Sequence, residues 1–222
     1  KKFLLTIITV VKNDEKNIEK TIRSILSQKN IKFEYLIIDG KSKDNTLQII
    51  NRYKKKIDKI VSNKDFGIYH AMNKGLELAK GDIIVFCNSG DFFYKDSLSK
   101  VIKLFNKYNY DFVFGTVLRN YTKAKILKYG YNFNRLKYNF DFATSHTTGF
   151  FVKKSVHKKI GNYNTKFKIS ADYDLYFRLY KNNFKGGATN KRDIIGNVAS
   201  GGFSSQVSFI KHLIEETRIR FH

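Results

Sequence analysis

The sequence predicts an α/β fold with a mostly parallel central sheet and helices on both faces. Three observations predict it: short apolar runs alternate with helical patterns, these runs are apolar without a break, and a polar turn follows each of them. Continuous apolar strands separated by helices are typical of parallel sheets that are covered on both sides. The chain has 222 residues, 42% of them apolar, which suits one globular domain with a sizeable core.

The first half of the chain predicts strands and helices in regular alternation. Strands are predicted at 3–11, 33–38, 57–61, 83–86 and 112–115, and helices at 15–26, 45–53, 68–79 and 97–108. The first helix shows the clearest periodicity, with Ile18, Ile22 and Ile25 on one face. Asn13 or Asp14 is its expected capping residue.

The second half, after residue 115, has a less regular pattern. Residues 116–131 predict a β-hairpin, 174–180 a helix, and 207–219 an amphipathic helix. The apolar face of that last helix is formed by Ile210, Leu213, Ile214 and Thr217, and its charged residues are Lys211, His212, Arg218 and Arg220. Such a helix either packs its apolar face on the protein's own core or lies in a membrane surface, and both interpretations stand.

The composition is strongly basic. Lys and Arg number 42 against 19 Asp and Glu, a formal charge of +23, which attracts nucleic acid, an anionic membrane surface or phosphorylated ligands. The alternative is a general preference for Lys, since Lys is spread along the whole chain. A single cysteine, Cys87, excludes an internal disulfide and indicates a reducing compartment.

Polar segments follow four of the predicted strands, at 12–13, 39–44, 63–65 and 87–91. Ligands of open parallel sheets bind beyond the carboxyl ends of the strands. Asp91 can hold a divalent cation that bridges a diphosphate, and Gly90 lets backbone approach the phosphates. Asp39 can accept hydrogen bonds from a base or ribose. The alternatives are a polar turn around Asp91 and a helix-capping turn after Asp39.

Further candidates lie on the predicted helices and in the second half. Asn73 has no apolar role on its helix. Asp172 can take a proton from an acceptor hydroxyl while Asp174 faces elsewhere; the alternative is that both acids favour the helix dipole. His146, in a polar cluster that also holds Thr148, is expected to contact the acceptor or a diphosphate, or else to be a structurally satisfied histidine.

Taken in order, six segments resemble glycosyltransferase family 2, the inverting enzymes with a GT-A fold. They are TVVKN at 9–13, IDGKSKDNT at 38–46, DFGIYHAMNKG at 65–75, AKGD at 79–82, FCNSGD at 86–91 and SADYDL at 170–175. The resemblance covers about residues 3–182, and its nearest members look like bacterial enzymes that build surface polysaccharide. The chain departs from the common strand-end motif, which has acids where Asn88 and Gly90 stand here.

The resemblance implies a role for each matching position. The nucleotide sugar would be bound by Thr9, Val11, Asn13, Asp39, Asp65, Asn73, Asn88, Ser89 and Gly90. Asp91 would be the ligand of Mn²⁺ or Mg²⁺. Asp172 would be the catalytic base. His146 and Thr148 would lie on the acceptor side.

The expected function is therefore inverting transfer of a sugar from a nucleoside diphosphate, with UDP as the usual one in the family that the chain resembles, to a glycan or a polyprenyl-diphosphate-linked glycan. We expect one GT-A domain over 1–222, with 1–115 binding the nucleotide sugar and 116–222 the acceptor, in the cytoplasm or at the inner face of its membrane. The alternatives are a sugar-nucleotide-binding protein with little catalysis, and a basic nucleic-acid-binding protein. No nucleic-acid recognition motif is present, so no nucleic-acid partner is expected.

Overall fold

The computed structural model describes residues 3–121, 123–132, 134, 136, 147–201 and 207–221. Its strands are β1 Leu5–Val11, β2 Phe33–Asp39, β3 Lys59–Ser62, β4 Ile83–Phe86, β5 Phe92–Phe93, β6 Phe112–Phe114, β7 Thr116–Asn120, β8 Lys125–Lys128, β9 Phe150–Lys153, β10 Gly186–Ala188 and β11 Ile194–Val198. Its helices are α1 Ile18–Leu26, α2 Thr46–Arg52, α3 Ile68–Leu78, α4 Leu98–Tyr108, α5 Lys154–Ile160, α6 Ala171–Lys181 and α7 Phe209–Arg220, with short 3-10 helices at Lys54–Lys56 and Thr147–Gly149.

Across the described residues, the main sheet has the strand order β10–β6–β9–β4–β1–β2–β3. Strand β9 runs antiparallel to its neighbours β4 and β6, and the other pairings of this sheet are parallel. The predicted mostly parallel sheet is confirmed. Because β9 and β10 follow residue 115, the two halves of the chain share one sheet, and their functional division stays a prediction.

Side chains of the central strands alternate between two hydrophobic cores. On β1, Leu5, Ile7 and Val11 pack with α1, α2 and α4, whereas Ile8 and Val10 pack with α3, α5 and α6. This alternation is the period-2 geometry of a strand, and it requires a helical layer on each face. Because β1 and β4 are neighbouring parallel strands, their carboxyl ends lie side by side at one edge of the sheet, between the two helical layers.

A smaller sheet, β5–β11–β7–β8, lies beside that edge. Strands β7 and β8 form the predicted antiparallel hairpin, and β11 runs parallel to β7. The sequence analysis did not predict five short elements of the described structure: β5, β9, β10, β11 and α5. The predicted cap of α1 was wrong, because the helix begins at Ile18 and its cap position is Asn17, whose side chain makes no capping hydrogen bond and instead donates to Asp14 Oδ1 at 2.6 Å.

Helix α7 is amphipathic as predicted, but its apolar side faces outward. Ile210, Leu213 and Ile214 are exposed, whereas Ile219 is buried on the opposite side of the helix. The interpretation in which this apolar face packs on the protein's own core is therefore wrong. Among the described residues, no helix has the length and apolar character needed to cross a membrane.

Candidate functional site

A cleft of about 660 Å³ opens at the carboxyl ends of β1 and β4. Its lining comes from the ends of β1, β4 and β7, the segment after β11, the starts of α3 and α6, and Thr147 of the second 3-10 helix. From the predicted site residues it collects Val11, Asn13, Asn88, Ser89, Gly90, Asp91 and Asp172. Long-range packing thus brings the strand-end loop and the proposed base to one solvent-accessible space.

The loop after β4 is held in a fixed shape by α1. The Gly90 N–H donates to Thr21 Oγ1 at 3.1 Å, and that hydroxyl donates to the Asp91 carbonyl at 2.7 Å. Ser89 Oγ donates to Asp14 Oδ2 at 2.6 Å. Gly90 has a φ of 94°, a region that favours glycine. The loop therefore depends on Gly90 for its backbone path along the cleft.

Asp91 is the buried carboxylate of this loop, with 7% of its surface exposed. Its Oδ2 accepts a hydrogen bond from Thr148 Oγ1 at 2.5 Å, and its Oδ1 accepts one from the Ala199 N–H at 2.9 Å. Burial raises the pKa of Asp91 to about 6, while these two bonds and the more weakly acting charge of Arg119 lower it. The carboxylate thus joins the β4 loop to the segments before β9 and after β11.

Asn88 lies beside Asp91 with an unsatisfied acceptor. Its Nδ2 donates to Thr147 Oγ1 at 3.2 Å, whereas its buried Oδ1 has no hydrogen-bond partner among the described residues. A buried amide oxygen without a partner is costly unless a ligand or an ion supplies one. The Oδ1 of Asn88 can therefore accept a hydrogen bond from a ligand in the cleft or bind a cation there.

Asp172 stands in the first turn of α6 and is partly buried. Its Oδ1 accepts the Tyr173 N–H at 2.9 Å and lies 3.2 Å from the Tyr69 hydroxyl, whose proton is also within reach of the Ile169 carbonyl at 2.7 Å. Burial raises the pKa of Asp172, and the bonds from Tyr173 and Tyr69 oppose that shift. Asp174 instead pairs with Arg178 at 2.8 Å, so it faces away as expected.

Two predicted binding residues make hydrogen bonds inside the fold: the full burial of Thr9 contradicts a contact with the nucleotide sugar, whereas binding by the partly exposed Asn73 stays a prediction. Thr9 is fully buried in the sheet, where its Oγ1 donates to the Cys87 carbonyl at 2.8 Å. Asn73 bonds the backbone of Tyr163 with both amide atoms, at 2.8 and 3.0 Å. Each polar side chain satisfies a buried backbone group, a role that a single sequence does not distinguish from ligand binding.

Asp39 and Asp65 lie near each other beside the cleft and do not line it. Asp39 is fully buried, and its carboxylate accepts hydrogen bonds from the hydroxyls of Ser42 and Ser62, both at 2.5 Å. A side chain at Gly40 would meet Asp65 Oδ2 at 2.3 Å, so the Asp65 carboxylate lies directly over that glycine. Binding of the base by this pair stays a prediction.

The two acceptor candidates have different outcomes. Thr148 is buried and bonds Asp91, so it supports the loop and has no exposed surface for an acceptor. His146 lies outside the described residues. The lining residues that the sequence did not single out include Tyr69, Arg119 and Tyr121, and Asp14 was expected only as a helix cap. Arg119 stacks over the Tyr121 ring at 5.0 Å.

The chain is similar to known proteins along most of its length. The family model described as Glycosyl transferase family 2 matches residues 6–191. A PGL/p-HBAD biosynthesis glycosyltransferase of Mycobacterium bovis BCG is 29% identical over 199 residues, which are 84% of this chain and 75% of that protein.

Solved structures with the same fold support this similarity. Staphylococcus aureus TarS in complex with UDP superimposes with a TM-score of 0.77 at 20% identity, over 97% of this chain and 64% of that one. The mannosyltransferase PcManGT of Pyrobaculum calidifontis, in complex with GDP-Man and Mn²⁺, gives 0.74 at 16% identity, over 98% and 64%. The chain thus spans less than two thirds of either structure, and the GT-A fold expected from the resemblance is confirmed.

Proposed function

Since this chain belongs to glycosyltransferase family 2 and is a transferase enzyme by that membership, we propose that it moves a sugar from a nucleoside diphosphate to an acceptor hydroxyl with inversion. Asp172 takes the hydroxyl proton as the acceptor oxygen bonds to the anomeric carbon. The bond from that carbon to the diphosphate oxygen breaks on the opposite face, and the nucleoside diphosphate leaves.

One observation carries the proposal: Asp172 and the loop 88–91 open onto the same cleft. Burial of Asp172 raises its pKa towards the range in which a general base works, and it partly encloses the carboxylate. We propose a UDP sugar as donor. The UDP bound in the TarS complex supports this choice. Because PcManGT binds GDP-Man, GDP sugars are the donors against which UDP sugars should be compared.

The donor set of the cleft fits a divalent cation, Mn²⁺ or Mg²⁺. Asp91 is a buried carboxylate whose oxygens keep a second lone pair, and Asn88 Oδ1 is a buried oxygen without a partner. The described residues contain no cluster of three acidic, His or Cys side chains, so phosphate oxygens and water would complete the coordination. When bound, the cation would offset charge on the departing diphosphate.

For the acceptor, we propose a glycan or lipid-linked glycan of a bacterial surface polysaccharide, met at the cytoplasmic face of the membrane. The biosynthetic name of the mycobacterial relative and the basic charge of +23 support this.

The test compares release of nucleoside diphosphate from UDP and GDP sugars by wild type, Asp172→Asn and Asp193→Asn. We expect Asp172→Asn to bind UDP normally in calorimetry but to lose most turnover, on the order of 10²–10⁴-fold. Asp193→Asn removes a carboxylate from a surface ion pair with Lys100 and is the matched control. Near-normal turnover of Asp172→Asn would exclude Asp172 as the base.

Replacement of the usual acids by Asn88 and Gly90 favours a second candidate, a sugar-nucleotide-binding protein with little catalysis. UDP binding with no transfer and no donor hydrolysis in wild type would identify it.

A further inference from the structure

Helix α7 carries a continuous apolar surface that no described part of the protein covers. Its side chains recur at the spacing of one helical face, and we call them the α7 stripe: Ile210, Leu213, Ile214, Thr217 and Phe221. Ile210 is 66% exposed, Leu213 40%, Ile214 49% and Phe221 88%. A row of apolar groups of this length in water is unfavourable unless a partner removes it from water.

The opposite face of α7 packs on the protein through the buried side chain of Ile219 and through polar contacts. Glu215 accepts hydrogen bonds from the N–H groups of Lys168, Ile169 and Ser170 at 2.6–2.7 Å. These residues lead into α6, and Arg220 also donates to the Tyr173 hydroxyl at 3.0 Å. These hydrogen bonds and the burial of Ile219 hold this face of α7 against the protein, which turns the α7 stripe outward.

Basic side chains stand beside the stripe. Lys211 and Arg218 are exposed and lie two turns apart along one flank, and Arg220 lies on the other flank. An apolar stripe with basic flanks is the arrangement of a helix that lies in the interface of an anionic bilayer. A stripe of five side chains is also small for a stable protein partner, since standard interfaces take about 20–30 residues a side.

We infer that α7 docks the protein on an anionic lipid surface through the α7 stripe, with Lys211 and Arg218 contacting lipid headgroups. Through Glu215, the docked helix holds the start of α6, which carries Asp172. The cleft is thereby brought next to the bilayer, so a lipid-borne acceptor would reach Asp172 from the membrane. This last point rests on the proposed function, whereas docking itself does not.

The test is flotation of the protein with vesicles of phosphatidylcholine alone and with added phosphatidylglycerol. We expect recovery with anionic vesicles and little with neutral ones. Leu213→Asp with Ile214→Asp should lower vesicle partitioning at least tenfold, whereas Ile126→Asp, an exposed apolar residue of β8, should not. Lys211→Gln with Arg218→Gln should lower it about fivefold per charge, and Lys55→Gln with Lys56→Gln, which makes the same charge change on an exposed 3-10 helix, should lower it less.

Equal recovery on both vesicle types, or unchanged flotation of the Leu213/Ile214 variant, would overturn the inference. So would a dimer in light scattering that only this variant loses, because the stripe would then bind a second copy. Donor hydrolysis in the absence of lipid separates the two proposals: the stripe variants should keep it. If the wild-type protein shows no donor hydrolysis, the proposed function is contradicted, whereas the flotation result is unaffected.

Discussion

The Thr148 hydroxyl donates a 2.5 Å hydrogen bond to Oδ2 of Asp91, and both residues are buried. Fifty-seven positions separate them in the chain. Thr148 belongs to the short 3-10 helix that leads into β9, and Asp91 to the loop after β4. The bond therefore fixes the carboxylate at the cleft by tying it to a neighbouring strand of the same sheet.

Removal of that bond should weaken the fold and the donor site together. In Thr148→Val the Asp91 carboxylate keeps its burial and loses a donor, which should lower the free energy of unfolding by about 1–3 kcal/mol. Urea unfolding measures this, and calorimetry with UDP should show weaker binding. Thr148→Ser keeps the hydroxyl and should recover most of the stability and most of the UDP affinity. If the Ser and Val variants behave alike, the hydrogen bond does not cause these losses.

Gly90→Ala should disturb the loop through its backbone. The φ of 94° strains any residue with a Cβ, at a cost of about 1–2 kcal/mol, and the added Cβ would lie 3.3 Å from that of Ala199. We expect lower affinity for UDP with a small loss of thermal stability. Gly130→Ala is the matched control, since it also has positive φ but lies on an open surface. Equal UDP affinity in both variants would contradict this use of Gly90.

Tyr69→Phe should shift the pH dependence of transfer. The Tyr69 hydroxyl helps to stabilise the Asp172 carboxylate, so its loss should raise the pKa of Asp172. A base works in its deprotonated form, so the acid limb of kcat/KM should move to higher pH, by up to about one unit. Tyr108→Phe removes a hydroxyl at the surface and should leave the profile unchanged. A shift to lower pH would refute the assignment.

His157 should make the fold sensitive to acid. It is buried, its Nε2 has no hydrogen-bond partner in the part of the chain that the structure describes, and burial lowers its pKa from 6.5 to about 4. The neutral form is therefore favoured in the folded state, and the stability it gives is full above pH 6.5 and is lost as pH falls towards 4.

The consequence is measurable by urea unfolding at pH 7.5 and pH 5. His157 alone should lower the free energy of unfolding by about 2 kcal/mol between pH 7.5 and pH 5. His157→Gln should lose less stability over that range than wild type, and an identical pH dependence would show that another group is responsible.

Much of the cleft could be predicted because parallel strands bring their carboxyl ends to one edge. The carboxyl end of β1 carries Val11 and Asn13, and the loop 88–91 follows β4. These residues line one cleft because the two strands are parallel neighbours in the sheet. Arg119 and Tyr121 could not be found this way. Arg119 lies near the end of β7 and Tyr121 follows it, and their partner strand β11 lies more than 70 residues further along the chain, a pairing that no local pattern predicts.

By itself, the sequence determined that the chain alternates strands and helices, which loops end its apolar strands, and that residues near the C-terminus form a helix with two unlike faces. Periodicity carries this information because it is local. Only the tertiary structure decided that Thr9 and Asn73 serve the fold, and which face of α7 turns inward. That choice follows from the three N–H groups at 168–170, which need an acceptor and find it in Glu215. Together with the burial of Ile219, these contacts with a segment distant in sequence leave the apolar face outside.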